Sequence, residues 1–187
     1  MMRLLKSIFR DRSANAAAEL ALVLPMMLVL LFGSLELGNL FLDEHALSKQ
    51  VRDGARFAAR LELASDYDCT DDPATVFADG AEADDKIINV TQTGAVEGAG
   101  NPRWVGYWDR SCGGDGGTIS VAIRCVPKSS IDPAATGNTG IYSGLDGDIP
   151  VVKVSGAVKY RSILGAIGFD ATNICLRSES EAAVTGV

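Results

Sequence analysis

The chain has 187 residues, 47% of them apolar, and a formal net charge of −7. That length suits one domain with an appendage, and the apolar content is ample for a core, which excludes disorder throughout. The acidic balance, with no basic stripe to neutralise phosphates, excludes a nucleic-acid partner.

At the N-terminus Arg3, Lys6, Arg10 and Arg12 outweigh Asp11, whereas the chain beyond Leu42 is acidic on balance and begins with Asp43 and Glu44. Between these regions lies the apolar run Leu20 to Leu35, LALVLPMMLVLLFGSL, preceded by Glu19 and the uncharged Ser13 to Ala18. Together they reach the roughly 20 residues that cross a bilayer core about 30 Å thick. The charge asymmetry predicts a cytoplasmic N-terminus. A cleaved secretory signal is the rival reading, because both segments open with a basic leader and an apolar stretch. No A-x-A-like cleavage site follows the run, and Glu36, Leu37, Gly38, Asn39, Leu40 and Phe41 continue it as helix. Both features favour a retained transmembrane segment spanning about 16–40.

Three residues of this segment stand out chemically. Glu19 puts a carboxylate at the edge of the span, which is costly unless it finds water, a cation or a hydrogen-bond donor. It sits either in the headgroup region beside Arg12 and Ser13 or against a positive partner in a bundle of helices. Pro25 removes one helical hydrogen bond and predicts a bend near the carbonyl of Ala21, unless it is simply a tolerated membrane proline. Glu36, at the outer end, is read as solvated at the interface or engaged in an intersubunit contact.

Beyond the span, Leu40, Leu47, Val51, Ala55, Ala58 and Leu61 recur mostly three or four apart, with Asp43, Lys49, Arg52, Asp53, Arg56 and Arg60 between them. Membrane run and amphipathic run therefore read as one helix over 15–64, about 75 Å long. Such a helix is too long to bury itself in its own small domain. His45 is expected to be an exposed helix residue.

The acidic stretch Ser65 to Pro73 ends this helix. Asp72 before Pro73 suits a helix start, predicting a second helix through Val76, Phe77, Ala81 and Ile87 to about Val90, weakened by Gly80. Trp104, Tyr107 and Trp108 lie in a glycine-rich region and predict a strand or a packed loop. Thr118 to Val126 alternates as a half-buried strand, with Ile119, Val121, Ile123 and Cys125 on one face. Ile149 to Arg161 and Thr172 to Val184 are two further β candidates, and hairpin-like spacing favours an antiparallel sheet on the C-terminal half of the long helix. The predicted fold class is α+β, with an extracytoplasmic domain over 65–187.

All four cysteines, Cys69, Cys112, Cys125 and Cys175, follow the membrane run, on the side the charge rule sends outside. An even count there predicts two disulfides, with three possible pairings. Zinc is the weaker alternative, since no CxxC pair exists and His45 is the only histidine. Asp66, Asp68, Asp71, Asp72, Asp146 and Asp148 offer oxygen ligands to calcium, but without EF-hand spacing they read as solvated loops. No GxSxG elbow, HExxH pair or phosphate-binding loop occurs, so neither catalysis nor a cofactor is expected.

The segment Ala14, Asn15, Ala16, Ala17, Ala18, Glu19, followed at once by the apolar helix, resembles the processing site of type IV prepilins. More closely, the chain resembles TadE-like pseudopilins of tight-adherence pili, through Ala16 to Glu19, Leu20 to Pro25, Glu36 to Gly38 and the sequence RDGARFAAR at Arg52 to Arg60. Ala14 stands where the family usually has glycine, and Leu20 where an aromatic residue often follows the glutamate. The resemblance implies a pilin-like fold and a basic cytoplasmic leader, 1–14, removed by a prepilin peptidase between Ala14 and Asn15. The new amino group at Asn15 would then be a positive partner for Glu19. It further implies a single-pass protein of a bacterial inner membrane that contacts other pilin or pseudopilin subunits and the assembly platform, with possible entry into an extracellular fibre. A membrane-anchored binding or sensor domain that does not polymerise is the alternative.

Overall fold

The computed structural model describes residues 12–62, 67, 69, 83–98, 108–112, 118–134, 136–137, 139–145, 147–167 and 174–186, with 12–15 and 166–167 described by backbone alone. Helix α1 runs from Arg12 to Ala58 with Pro25 inside it, and helix α2 covers Ala83–Thr93. Strands β1 (Ile119–Val126), β2 (Ile149–Lys159) and β3 (Cys175–Ala183) form one antiparallel sheet in the order β1-β2-β3. The architecture is α+β, as the hydrophobic periods predict. The described residues group into two compact units, one drawn from Met1–Phe41 and Ser162–Asp170, the other from Leu42–Arg161 and Ala171–Val187.

In the second unit, β2 is the central strand, and its side chains alternate strictly. Val152, Val154 and Val158 are fully buried, while Lys153 and Lys159 belong to the opposite face. Register carries the same alternation across the sheet: Val152 lies between Ile123 and Ala182, and Val154 between Val121 and Ser180. The expected inward face of β1, Ile119, Val121, Ile123 and Cys125, is therefore the face that pairs with the buried valines. On the outer face Arg124 bonds Glu181 at 3.3 Å and Lys153 bonds Glu179 at 2.6 Å. Such exposed cross-strand pairs support register more than stability.

The second half of α1 covers the inner face of this sheet. Leu47, Val51, Ala55 and Ala58 are buried along one stripe, as three-and-four spacing requires. Contact is close because β2 carries Gly156 there: a Cβ on it would stand 2.9 Å from Val51 Cγ2 and 3.1 Å from Leu47 Cδ1. Ser48 and Ser178 hydroxyls meet at 3.1 Å at the same interface. A second close approach joins α1 to α2, where a Cβ on Gly54 would collide with the Thr91 hydroxyl. Thr91 is buried, and its hydroxyl donates to the Ile87 carbonyl at 2.7 Å.

Helix α2 buries Ala83, Ile87 and Thr91 at fourfold spacing, carries Asp84 and Asp85 at its positive end, and lies against β1. It ends at Gly94, whose φ of 76° suits the left-handed position after a helix, with its N–H donating to the Val90 carbonyl at 2.8 Å. The expected helix is thus found at Ile87 and Val90 and runs on to Thr93. Its predicted beginning, from Pro73 to Ala81, lies outside the described residues.

Helix α1 stops at Ala58 rather than at the expected Ala64, for a tertiary reason. The last carbonyls of a helix lack intrahelical partners, and here other segments supply them. Tyr67 Oη donates to the Ala58 carbonyl at 2.7 Å, and Thr185 donates its backbone N–H to the Ala59 carbonyl at 2.8 Å. Glu62 then forms a parallel bridge with Gly186.

Two disulfides staple this unit, Cys69–Cys125 and Cys112–Cys175, with Cα atoms 5.8 Å apart in each. They bridge 56 and 63 residues, and loops of that length correspond to about 4 kcal/mol each in the chain-entropy account. Because every thiol is consumed, the zinc alternative is set aside. Trp108 is buried, while Trp104 and Tyr107 lie outside the described residues.

Candidate assembly helix

The first half of α1 is apolar on every side. From Leu20 to Leu42, large apolar side chains are exposed at successive positions, including Leu22, Val23 and Leu24 and the unbroken run Met26 to Phe32; Leu22 is 76% exposed and Leu30 71%. A surface helix of a water-soluble domain shows one apolar stripe, whereas an all-round apolar helix requires lipid or other helices. Fully exposed, such a side chain forgoes about 1.5–3 kcal/mol of burial, and these are between 38% and 76% exposed. Fifteen of them from Leu20 to Leu42 therefore amount to a term larger than the net stability of an ordinary domain. Among the described residues, this helix is the one long and apolar enough to cross a membrane. That makes it compatible with a single-pass anchor.

The singled-out residues take definite places on it. The helix already begins at Arg12, so the backbone of Ala14 and Asn15 lies in its first turn, while residues 1–11 of the leader lie outside the described residues. Glu19 is exposed at the inner edge of the apolar run, and Pro25 sits within the helix without ending it. Ser34 satisfies its hydroxyl locally, donating to the Leu31 carbonyl at 2.8 Å, which is how a membrane helix accommodates serine. His45 is exposed.

Glu36 has a more specific position than the sequence suggested. One carboxylate oxygen, Oε2, accepts the backbone N–H of Ile163 at 3.1 Å and that of Leu164 at 3.2 Å. Leu164 opens a short 3-10 turn, Leu164–Ile167, so the carboxylate meets amide groups at the start of a turn, where they lack internal partners. These partners lie 127 and 128 residues away in sequence, beyond the reach of any local pattern. Of the loop aspartates considered for calcium, Asp148 is described and the others lie outside the described residues; among the described residues no group of three or more metal-ligating side chains forms.

Two buried polar groups escaped sequence reasoning. Gln50 is only 3% exposed, and among the described residues neither its Oε1 nor its Nε2 finds a hydrogen-bond partner; Trp108 Nε1 is in the same condition. A signal for Gln50 did exist, since it stands three residues after Leu47 and four before Gly54 on a stripe that turns inward. Its polarity argued the other way.

Residues 15–56 match the family model described as TadE-like protein, a stretch that runs from the first turn of α1 to within two residues of its end. No curated protein and no solved structure matches the chain.

Proposed function

We propose, taking the TadE-like match of the helix as premise, that this chain is a minor pilin or pseudopilin of a tight-adherence pilus, inserted by its N-terminal helix and assembled through it. The observation that carries this reading is the division of α1. One half is apolar on every side with a carboxylate at its edge; the other is amphipathic and buried against a disulfide-bonded domain. The same match supports a structural rather than an enzymatic role.

The finer steps are those that the resemblance to type IV prepilins and TadE-like pseudopilins implies. A prepilin peptidase removes the basic leader between Ala14 and Asn15 on the cytoplasmic side, leaving a charged amino group at the head of the apolar helix. In a bundle of such helices, Glu19 of one subunit offsets the amino group of a neighbour, a pairing that low dielectric strengthens. The half-helices then pack laterally as subunits leave the bilayer, guided by the assembly platform, while the domain after the helix remains outside.

N-terminal sequencing of the mature protein tests the processing step: Asn15 is the expected first residue, and a start at Met1 refutes it. Glu19→Ala separates the assembling subunit from a membrane-anchored sensor, since it abolishes assembly in the first case and leaves the second working. Crosslinking through a cysteine placed at Val23 gives ladders of like or related chains only if the helices pack together.

A further inference from the structure

We infer that the connection between β2 and β3, at Ser162 to Ile167, is a second membrane contact, lying in the outer lipid interface and held there by Glu36. The inference rests on the membrane reading of α1 and adds to it a lipid-contacting element that is not part of the helix.

Three observations support it. First, position: Glu36 follows Glu19 by 17 residues, which on an α-helix is about 26 Å, close to the thickness of a bilayer core of about 30 Å. With Glu19 at the inner edge of the hydrocarbon, the Glu36 carboxylate stands at the outer edge. Second, composition: Ser162, Ile163, Leu164, Gly165, Ala166 and Ile167 carry no charge, and Ile163 is 58% exposed beside the Glu36 contact, with exposed Leu35 and Leu37 flanking Glu36 on the helix. The segment groups with the first part of α1 in one compact unit. Third, backbone: amide N–H groups entering the edge of a bilayer need partners, and Glu36 Oε2 supplies one acceptor to both Ile163 and Leu164 while the 3-10 turn begins. The same two N–H groups offset part of the cost of holding a carboxylate at that depth.

Lipid is the occupant chosen because the contact is continuous with the all-round apolar helix and is pinned to it at the level of the interface. The test uses the full chain reconstituted in phosphatidylcholine vesicles at low protein density, with the emission of the parent chain subtracted. Ile163→Trp should show blue-shifted emission that is lost in lipid brominated near the acyl carbonyls, whereas Ile141→Trp, at an exposed position in the domain, should be quenched by aqueous iodide and not by brominated lipid. Adding Glu36→Gln to Ile163→Trp should weaken the lipid quenching and raise the iodide quenching. Leu28→Trp reports separately on the helix, with quenching by bromines deep in the acyl chains. If Leu28→Trp is quenched and Ile163→Trp is as open to iodide as Ile141→Trp, the interfacial contact is wrong while the membrane helix stands. If Ile163→Trp is shielded from iodide yet indifferent to brominated lipid, a protein surface covers it and the inference is likewise overturned. If Leu28→Trp is not quenched, the membrane reading fails and the inference falls with it.

Discussion

The helix–sheet contact at Gly156 allows a quantitative test of how the domain holds the helix. Gly156→Ala places a methyl 2.9 Å from Val51 Cγ2 and 3.1 Å from Leu47 Cδ1, with the Trp108 ring at 3.6 Å. Val51 and Leu47 are fully buried, so neither methyl can swing into solvent. Overpacking of this kind costs about 1–3 kcal/mol. Separately, Val51→Ala removes two buried methyl groups, a loss of about 1.6 kcal/mol in transfer energy with a cavity term added. Combined, the two changes should be less damaging than their sum, because Val51→Ala vacates the space that the new methyl needs. The coupling should be at least about 1 kcal/mol in favour of the double variant. Chemical unfolding of the oxidised full chain in detergent micelles, followed by near-ultraviolet circular dichroism, measures all four corners of the cycle. Additivity within about 0.5 kcal/mol would mean that the contact is not shared in this way and would refute the packing argument.

Replacing Gln50 with methionine, which conserves volume and removes two buried polar atoms that have no partner among the described residues, should raise stability by about 1–3 kcal/mol in the same assay. Reading the bridges from peptide masses without reduction should yield Cys69–Cys125 and Cys112–Cys175 linked peptides, and replacing either pair with serine should cost up to about 4 kcal/mol. Asp84 gives a pH dependence of known sign. Burial first, and the neighbouring Asp85 second, hold its folded-state carboxyl above the ordinary value of 3.8. The folded state therefore retains the proton longer than the unfolded one, and stability falls as pH rises from 3.8 through the raised value. In Asp84→Asn, melting temperature followed across that window should lose this downward component; an unchanged profile would contradict it.

Much of the architecture was legible in local pattern. An uninterrupted apolar run flanked by charge marks a helix that needs lipid or other helices, whatever the rest of the chain does, because its own composition leaves no polar face. Alternation in Ile119 to Val126 identified the inward face of β1, since a strand turns every second side chain the same way. The inward stripe of Leu47, Val51, Ala55 and Ala58 was equally readable from helical spacing. Gln50 was not, because its chemistry argued against the burial that its position imposes.

Other features depend on pairs of residues far apart in the chain. Four cysteines permit three pairings at equal standing, and only the placement of β1 and β3 brings Cys69 to Cys125 and Cys112 to Cys175. Helix α1 ends at Ala58, six residues before the expected Ala64, where Thr185, distant in sequence, reaches the Ala59 carbonyl just past its end. Glu36 read as a carboxylate at the outer edge of a membrane helix, and the tertiary structure supplied Ile163 and Leu164 as its donors. Periodicity determines which face of an element is apolar, because it is a property of one segment. Partners 56 to 128 residues apart are decided by the way the chain closes on itself, which no single segment encodes.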